Sequence, residues 1–91
     1  MRAINRTTRF KRDYKRERKS DAELDAKLFP VLSALTRDET LEERFKDHGL
    51  TGNWKGFRDC HIRPDLVLIY ELVDEDTLSL VRLGSHSELF G

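Results

Sequence analysis

The sequence predicts an α+β fold: two N-terminal helices packed on one face of a small antiparallel β-sheet. Three observations carry that prediction. Apolar residues before position 36 recur at helical spacing, those after position 54 gather into three short strand-like runs, and short polar gaps separate the runs. Ninety-one residues make a single domain over 1–91, because a chain this short buries only about 60–65% of its unfolded surface and cannot divide that between two cores.

Taken in order, residues 2–6 alternate weakly and could open the fold as a short strand. Thr7 or Thr8 then offers an N-cap for a helix reaching about Lys19. Phe10 and Tyr14, one turn apart, give that helix a narrow apolar stripe. Arg9, Lys11, Arg12, Lys15, Arg16, Arg18 and Lys19 cover the remaining circumference. Ser20 followed by Glu23 has capping-box spacing and predicts the start of a second helix, which Leu24, Leu28, Val31, Leu32 and Leu35 continue with one apolar face. Pro30 predicts a kink there or an early break, since it removes a hydrogen bond and its ring clashes with the carbonyl four residues back.

Residues 37–53 read as a long charged connection with Gly49 and Gly52 as turn residues and one helical turn at 41–45. Strand-like runs follow at 54–62, 66–73 and 78–83. Pro64 and Asp65 separate the first two, and residues 74–76 the last two. Both gaps suit hairpins, so the runs form an antiparallel meander.

Composition narrows the functional classes. The longest apolar run, residues 66–70, is far short of the roughly 20 residues of a membrane span, and the basic N-terminus has no apolar stretch after it. Cys60 is the only cysteine, so neither an intramolecular disulfide nor a thiolate metal cluster can form in one chain, and the reading is a cytoplasmic protein. The formal net charge is zero, yet residues 1–20 hold nine Lys/Arg against Asp13 and Glu17, about +7. A basic run is often no more than a solvated helix face. One of this size also attracts a phosphate backbone or an acidic protein, so the seven helix cations are candidate RNA-binding residues.

All three histidines, His48, His61 and His86, lie in the C-terminal half with Asp65 and Arg82 near predicted strand ends. A meander folds such positions into proximity. RNA cleavage by internal transesterification needs the 2′-hydroxyl deprotonated, the phosphorane charge neutralised and the leaving 5′-oxygen protonated. Paired imidazoles supply a base and an acid near neutrality, and an arginine supplies a permanent charge. On this reading His48 or Asp65 is the base. Strict strand alternation sets Arg82 on the side of Leu78 and Leu80, which argues for core packing unless a bulge turns it outward. Taken singly, a surface histidine is more often solvated, Asp65 after Pro64 a turn residue and Arg82 an ion-pair partner. His48, His61, His86 and Asp65 are also zinc-ligand types, but no H-E-x-x-H or Cys-x-x-Cys spacing supports a metal, and no cofactor is expected.

The segment at 47–65, DHGLTGNWKGFRDCHIRPD, and that at 78–91, LSLVRLGSHSELFG, resemble the YafQ branch of the RelE/ParE toxin superfamily. The resemblance implies a RelE-like fold and a ribosome-dependent endoribonuclease of a type II toxin–antitoxin system, cleaving mRNA in the ribosomal A site without a metal. It carries the family's active-site positions onto His48, His61, Asp65, Arg82, His86 and Phe90. There His86 is the leading acid/base, His48 and Asp65 are its candidate partners, His61 supports the phosphate and Phe90 stacks on a base. Implied partners are a cognate antitoxin, the ribosome with its RNA, and mRNA; operator DNA is met only through the antitoxin, and no membrane is involved. Where the family often has Trp after the aspartate, this chain has Leu66. The rival reading is a ParE-like toxin that inhibits a protein such as gyrase without cutting RNA; the three histidines favour the nuclease.

Overall fold

The computed structural model describes residues 1–91. The chain opens with strand β1 (Ala3–Arg6), and the basic segment then winds into α1 (Thr8–Ser20). Thr7 caps α1 by accepting the Phe10 N–H at 3.0 Å, which satisfies a donor that a helix start leaves open. Arg18 and Lys19 occupy the last turn, where positive charge complements the helix dipole. Phe10 is buried and Tyr14 stacks beside it with ring centroids 6.2 Å apart, so the predicted stripe is core. A charged residue, Asp13, is buried alongside it.

Helix α2 (Leu24–Thr36) begins after a turn at 21–23. The capping box expected of Ser20 and Glu23 is not formed, because Ser20 ends α1 and no side chain caps α2. Asp21 organises the turn instead. Its carboxylate accepts the Glu23 N–H at 2.9 Å while holding Lys27 at 3.0 Å and Arg63 at 2.6 Å. The helix continues through Pro30 without the early break. Leu24, Leu28, Val31, Leu32 and Leu35 are all buried. At about 1.5–3 kcal/mol for each such side chain, their burial outweighs the ~3 kcal/mol an interior proline costs.

The sheet comprises β1 with β2 (His48–Gly49), β3 (Arg58–Arg63), β4 (Leu66–Leu72) and β5 (Thr77–Gly84), in the order β1-β5-β4-β3-β2. Strands β2 to β5 form the predicted antiparallel meander, and β1 joins its edge parallel to β5. The strand expected from residue 54 starts at Arg58, since Gly52–Trp54 is a single 3-10 turn and Gly56, at φ 95°, reverses the chain before pairing begins. The helical turn expected at 41–45 is a 3-10 turn at Glu43–Phe45. A third helix, α3 (His86–Phe90), was not anticipated. Ser85 and Glu88 start it with a reciprocal capping box.

Strand β4 is buried on both sides. Leu66, Leu68 and Tyr70 join the core under α1 and α2, whereas Val67 and Ile69 form a second cluster with Leu89 of α3. Leu50, Trp54, Phe57, Val81 and Phe90 pack around that cluster. The two long helices therefore share one face as predicted, and the short one covers the other. No helix is long and apolar enough to cross a membrane.

Candidate active site

Strand register sets out the site, because residues directly opposite one another in a sheet share a face about 5 Å apart. His48 pairs with Asp59, Asp59 with Ile69, and Ile69 with Arg82, so the four form one row across β2 to β5. His61, Val67 and Gly84 form the next row. Both rows lie on the side of α3, since the alternate residues of β3, Cys60 and Ile62, belong to the core under α1 and α2. Burial pushes the Cys60 thiol well up, so it is inert packing.

Arg82 reaches its row through a bulge. Tyr70 opposes Leu80 while Ile69 opposes Arg82, which leaves Val81 as an extra residue in β5. The insertion breaks the alternation that would have set Arg82 beside Leu78 and Leu80. Its Nε and Nη2 donate to Asp13 of α1 at 2.7 and 3.3 Å.

His48, His61, His86 and Phe90 line one hollow of about 290 Å³, together with Leu50, Thr51, Trp54 and Asp59. A larger hollow of about 560 Å³ between β1, α1 and α2 holds no histidine or carboxylate. Each histidine is held by a different device. His48 lies on the two-residue strand β2, fastened by its neighbour Asp47, which accepts from the Tyr70 hydroxyl and pairs with Arg58 at 3.4 Å. His61 projects from β3, and His86 is the first residue of α3, directly after its Ser85 cap. Phe90, one turn on, lies tilted at 49° with its ring centroid 4.8 Å from that of His86, and meets Trp54 edge-on at 6.3 Å.

The hydrogen bonds of His48 define its chemistry. Its Nδ1 lies 2.7 Å from the Lys46 carbonyl, which can only accept. The hydrogen therefore resides on Nδ1, and in the neutral ring Nε2 keeps a lone pair free to take a proton.

Asp59 is the residue that the sequence reading missed. Only 3% exposed, it sits 3.1 Å from His48 Nδ1, and its Oδ1 has no hydrogen-bond partner. Burial pushes its carboxyl above the usual carboxylate range, and the fields of His48, His61 and His86 only partly oppose that. A buried carboxylate facing imidazoles is suited to stabilising one that has become charged. Strand alternation was the available signal: with Cys60 and Ile62 apolar and inward, Asp59 and His61 had to share the opposite side.

Asp65 and Arg82 stand outside the lining of the hollow. Asp65 is in the exposed β3–β4 turn, where Arg63 Nε donates to its Oδ1 at 2.9 Å. Leu66, at the position where an aromatic residue was considered, is buried in the core under α1 and α2. Of the helix cations, Arg16 is committed to Asp13, Glu17 and Glu88, and Arg18 to Asp25. Arg9, Lys11, Arg12, Lys15 and Lys19 are exposed and make no ion pair.

Residues 2–91 match the family model described as a bacterial toxin of type II toxin–antitoxin system, YafQ. The mRNA interferase toxin YafQ of Escherichia coli is 34% identical over 91 residues, which are 100% of this chain and 98% of that protein. Two solved structures are similar throughout. A copper-bound mutant toxin from Helicobacter pylori superposes with a TM-score of 0.90 at 44% identity, covering 99% of this chain and all of that one. YafQ in the E. coli DinJ–YafQ complex superposes with a TM-score of 0.87 at 37% identity, covering both chains fully. The copper belongs to that structure; here no three His, Cys, Asp or Glu side chains are grouped so as to hold a metal ion.

Proposed function

The chain belongs to the YafQ family of bacterial toxins of type II toxin–antitoxin systems and is an mRNA interferase, and from that premise we propose a ribosome-dependent cleavage of A-site mRNA carried out by its own acid/base side chains. His48 Nε2 takes the proton from the 2′-hydroxyl. The freed 2′-oxygen attacks the adjacent phosphorus, and His86 gives a proton to the departing 5′-oxygen. The products are a 2′,3′-cyclic phosphate and a 5′-hydroxyl, and the proton count balances.

The observation that carries this reading is the His48 hydrogen bond to the Lys46 carbonyl, which leaves Nε2 unprotonated in a hollow that His86 also lines. Asp59, 3.1 Å from Nδ1, favours the imidazolium that forms there. That favours His48 over Asp65, whose carboxylate is exposed and already paired with Arg63. His61 and Arg82 supply charge to the phosphorane, each proton transfer and charge contact accounting for about 10² to 10⁴ in rate. Phe90, with Trp54 behind it, offers a surface on which a base stacks.

The five unpaired cations of α1 support a grip on ribosomal RNA that falls with salt. The DinJ–YafQ assembly of the relative supports a cognate antitoxin as partner. A translation extract with and without ribosomes tests the reading: mRNA ends should appear only with ribosomes, carry 2′,3′-cyclic or 3′-phosphate, persist in chelator, and vanish with His86→Ala. Undiminished cutting by His86→Ala would overturn it.

A further inference from the structure

We propose that Asp13 of α1 is a positioning residue for cleavage, acting through Arg82; the inference rests on the reading of Arg82 as a charge for the phosphorane. Asp13 is 3% exposed, an acid buried on an otherwise basic helix. Its Oδ2 accepts Arg82 Nε at 2.7 Å and the Leu83 backbone N–H at 3.1 Å, and its Oδ1 accepts Arg82 Nη2 at 3.3 Å. One carboxylate thus holds both the guanidinium and the strand just past the bulge that brings Arg82 into the row of His48 and Asp59.

A guanidinium on a flexible stem loses most of its value as a preorganised charge unless something fixes its plane. A two-point grip along one edge does so, and leaves the remaining N–H groups of the fork for a phosphate. The same carboxylate connects to the helix bearing His86. Arg16 Nη1 lies 3.4 Å from Asp13 Oδ1, while Arg16 Nη2 reaches Glu88 of α3 at 3.3 Å.

The test is a double-mutant cycle in ribosome-dependent single-turnover cleavage, using Asp13→Asn, Arg82→Ala and the pair. Asn keeps the shape and an acceptor for Leu83 but removes the charge. Asp13→Asn should slow cleavage about 10- to 100-fold, leave the half-saturating ribosome concentration unchanged, and add nothing once Arg82 is absent. An equal slowing in the Arg82→Ala background, or no slowing at all, overturns the inference. Full activity of Arg82→Ala alone instead overturns the reading on which it rests. Should Asp13→Asn melt below the assay temperature, Asp13→Glu keeps the charge one methylene out of place. A folded Asp13→Glu protein that cleaves slowly supports positioning, and one that cleaves at full rate refutes it.

Discussion

Replacing Asp59 by Asn should make the protein more stable and a poorer nuclease. The Asp59 side chain is 3% exposed, and its Oδ1 has no partner because the His48 Nδ1–H goes to Lys46. A buried, unsatisfied polar atom costs about 1–3 kcal/mol, and more when charged. Asn keeps the volume and drops the charge, so a gain of about 1 kcal/mol is expected at pH 7, equivalent to roughly 4–8 °C in Tm for a domain of this size. Because burial raises the folded-state pKa, the destabilisation builds as pH rises from the unfolded value and is complete above the folded one. The gap between variant and parent should therefore be widest at neutral pH and shrink as pH falls through the folded pKa. It should close near the unfolded value of about 3.9. Thermal melts at pH 7 and pH 4 read the gap. Cleavage should meanwhile fall by about 10- to 10⁴-fold, since the charged His48 loses its counter-charge. A lower Tm at pH 7, a gap indifferent to pH, or unimpaired cleavage would each refute the reasoning.

Three further outcomes are expected. His48→Gln should cost about 10² to 10⁴ in single-turnover rate while Asp65→Asn costs less than about tenfold; the reverse order would transfer the base to Asp65. Ser85→Ala removes the cap of α3 and should cost about 1 kcal/mol, a Tm drop of roughly 4–8 °C, with slower cleavage because His86 is the next residue; an unchanged Tm would mean the cap is idle. Asp13, Asp21 and Glu88 all have folded pKa values below the ordinary carboxylate range. For Asp13, burial pushes upward but the bonds to Arg82 and Leu83 prevail; Lys27 leads the lowering of Asp21, and the Ser85 cap that of Glu88. Their contribution is complete above the unfolded value of about 4 and disappears as pH falls through the folded values. Acid melts should show stability dropping below about pH 4, and a flat profile there would contradict the assignment.

What was legible in the sequence follows the strength of periodic signals. The helix faces of Phe10 and Tyr14, and of Leu24 to Leu35, announce themselves at 3.6-residue spacing, and the hairpin at Pro64–Asp65 as a short polar gap between two strand-like runs. Strand β2 was invisible because two residues show no period; only pairing with Arg58 and Asp59 makes it a strand. The insertion at Val81 has no composition cue, so the placement of Arg82 could be stated only conditionally. Helix α3 was announced by Ser85 and Glu88, the same box sought wrongly at Ser20, where Asp21 competed better for the turn. The three histidines and Phe90 line one hollow while Asp65 and Arg82, expected in the same patch, lie outside its lining, and Asp59 was passed over although its strand's alternation put it beside His61.

Strand β4 has no idle side, and this constrains how such a nuclease can change. Val67 and Ile69 are the floorboards beneath Leu50, Trp54 and Phe90 of the histidine hollow, while Leu66, Leu68 and Tyr70 are the ceiling of the room below. A mutation that reshapes one storey moves the joists of the other, so activity and folding cannot be tuned independently there. New codon tastes should accordingly be acquired at the threshold, where exposed Thr51 lines the hollow and packs on neither storey.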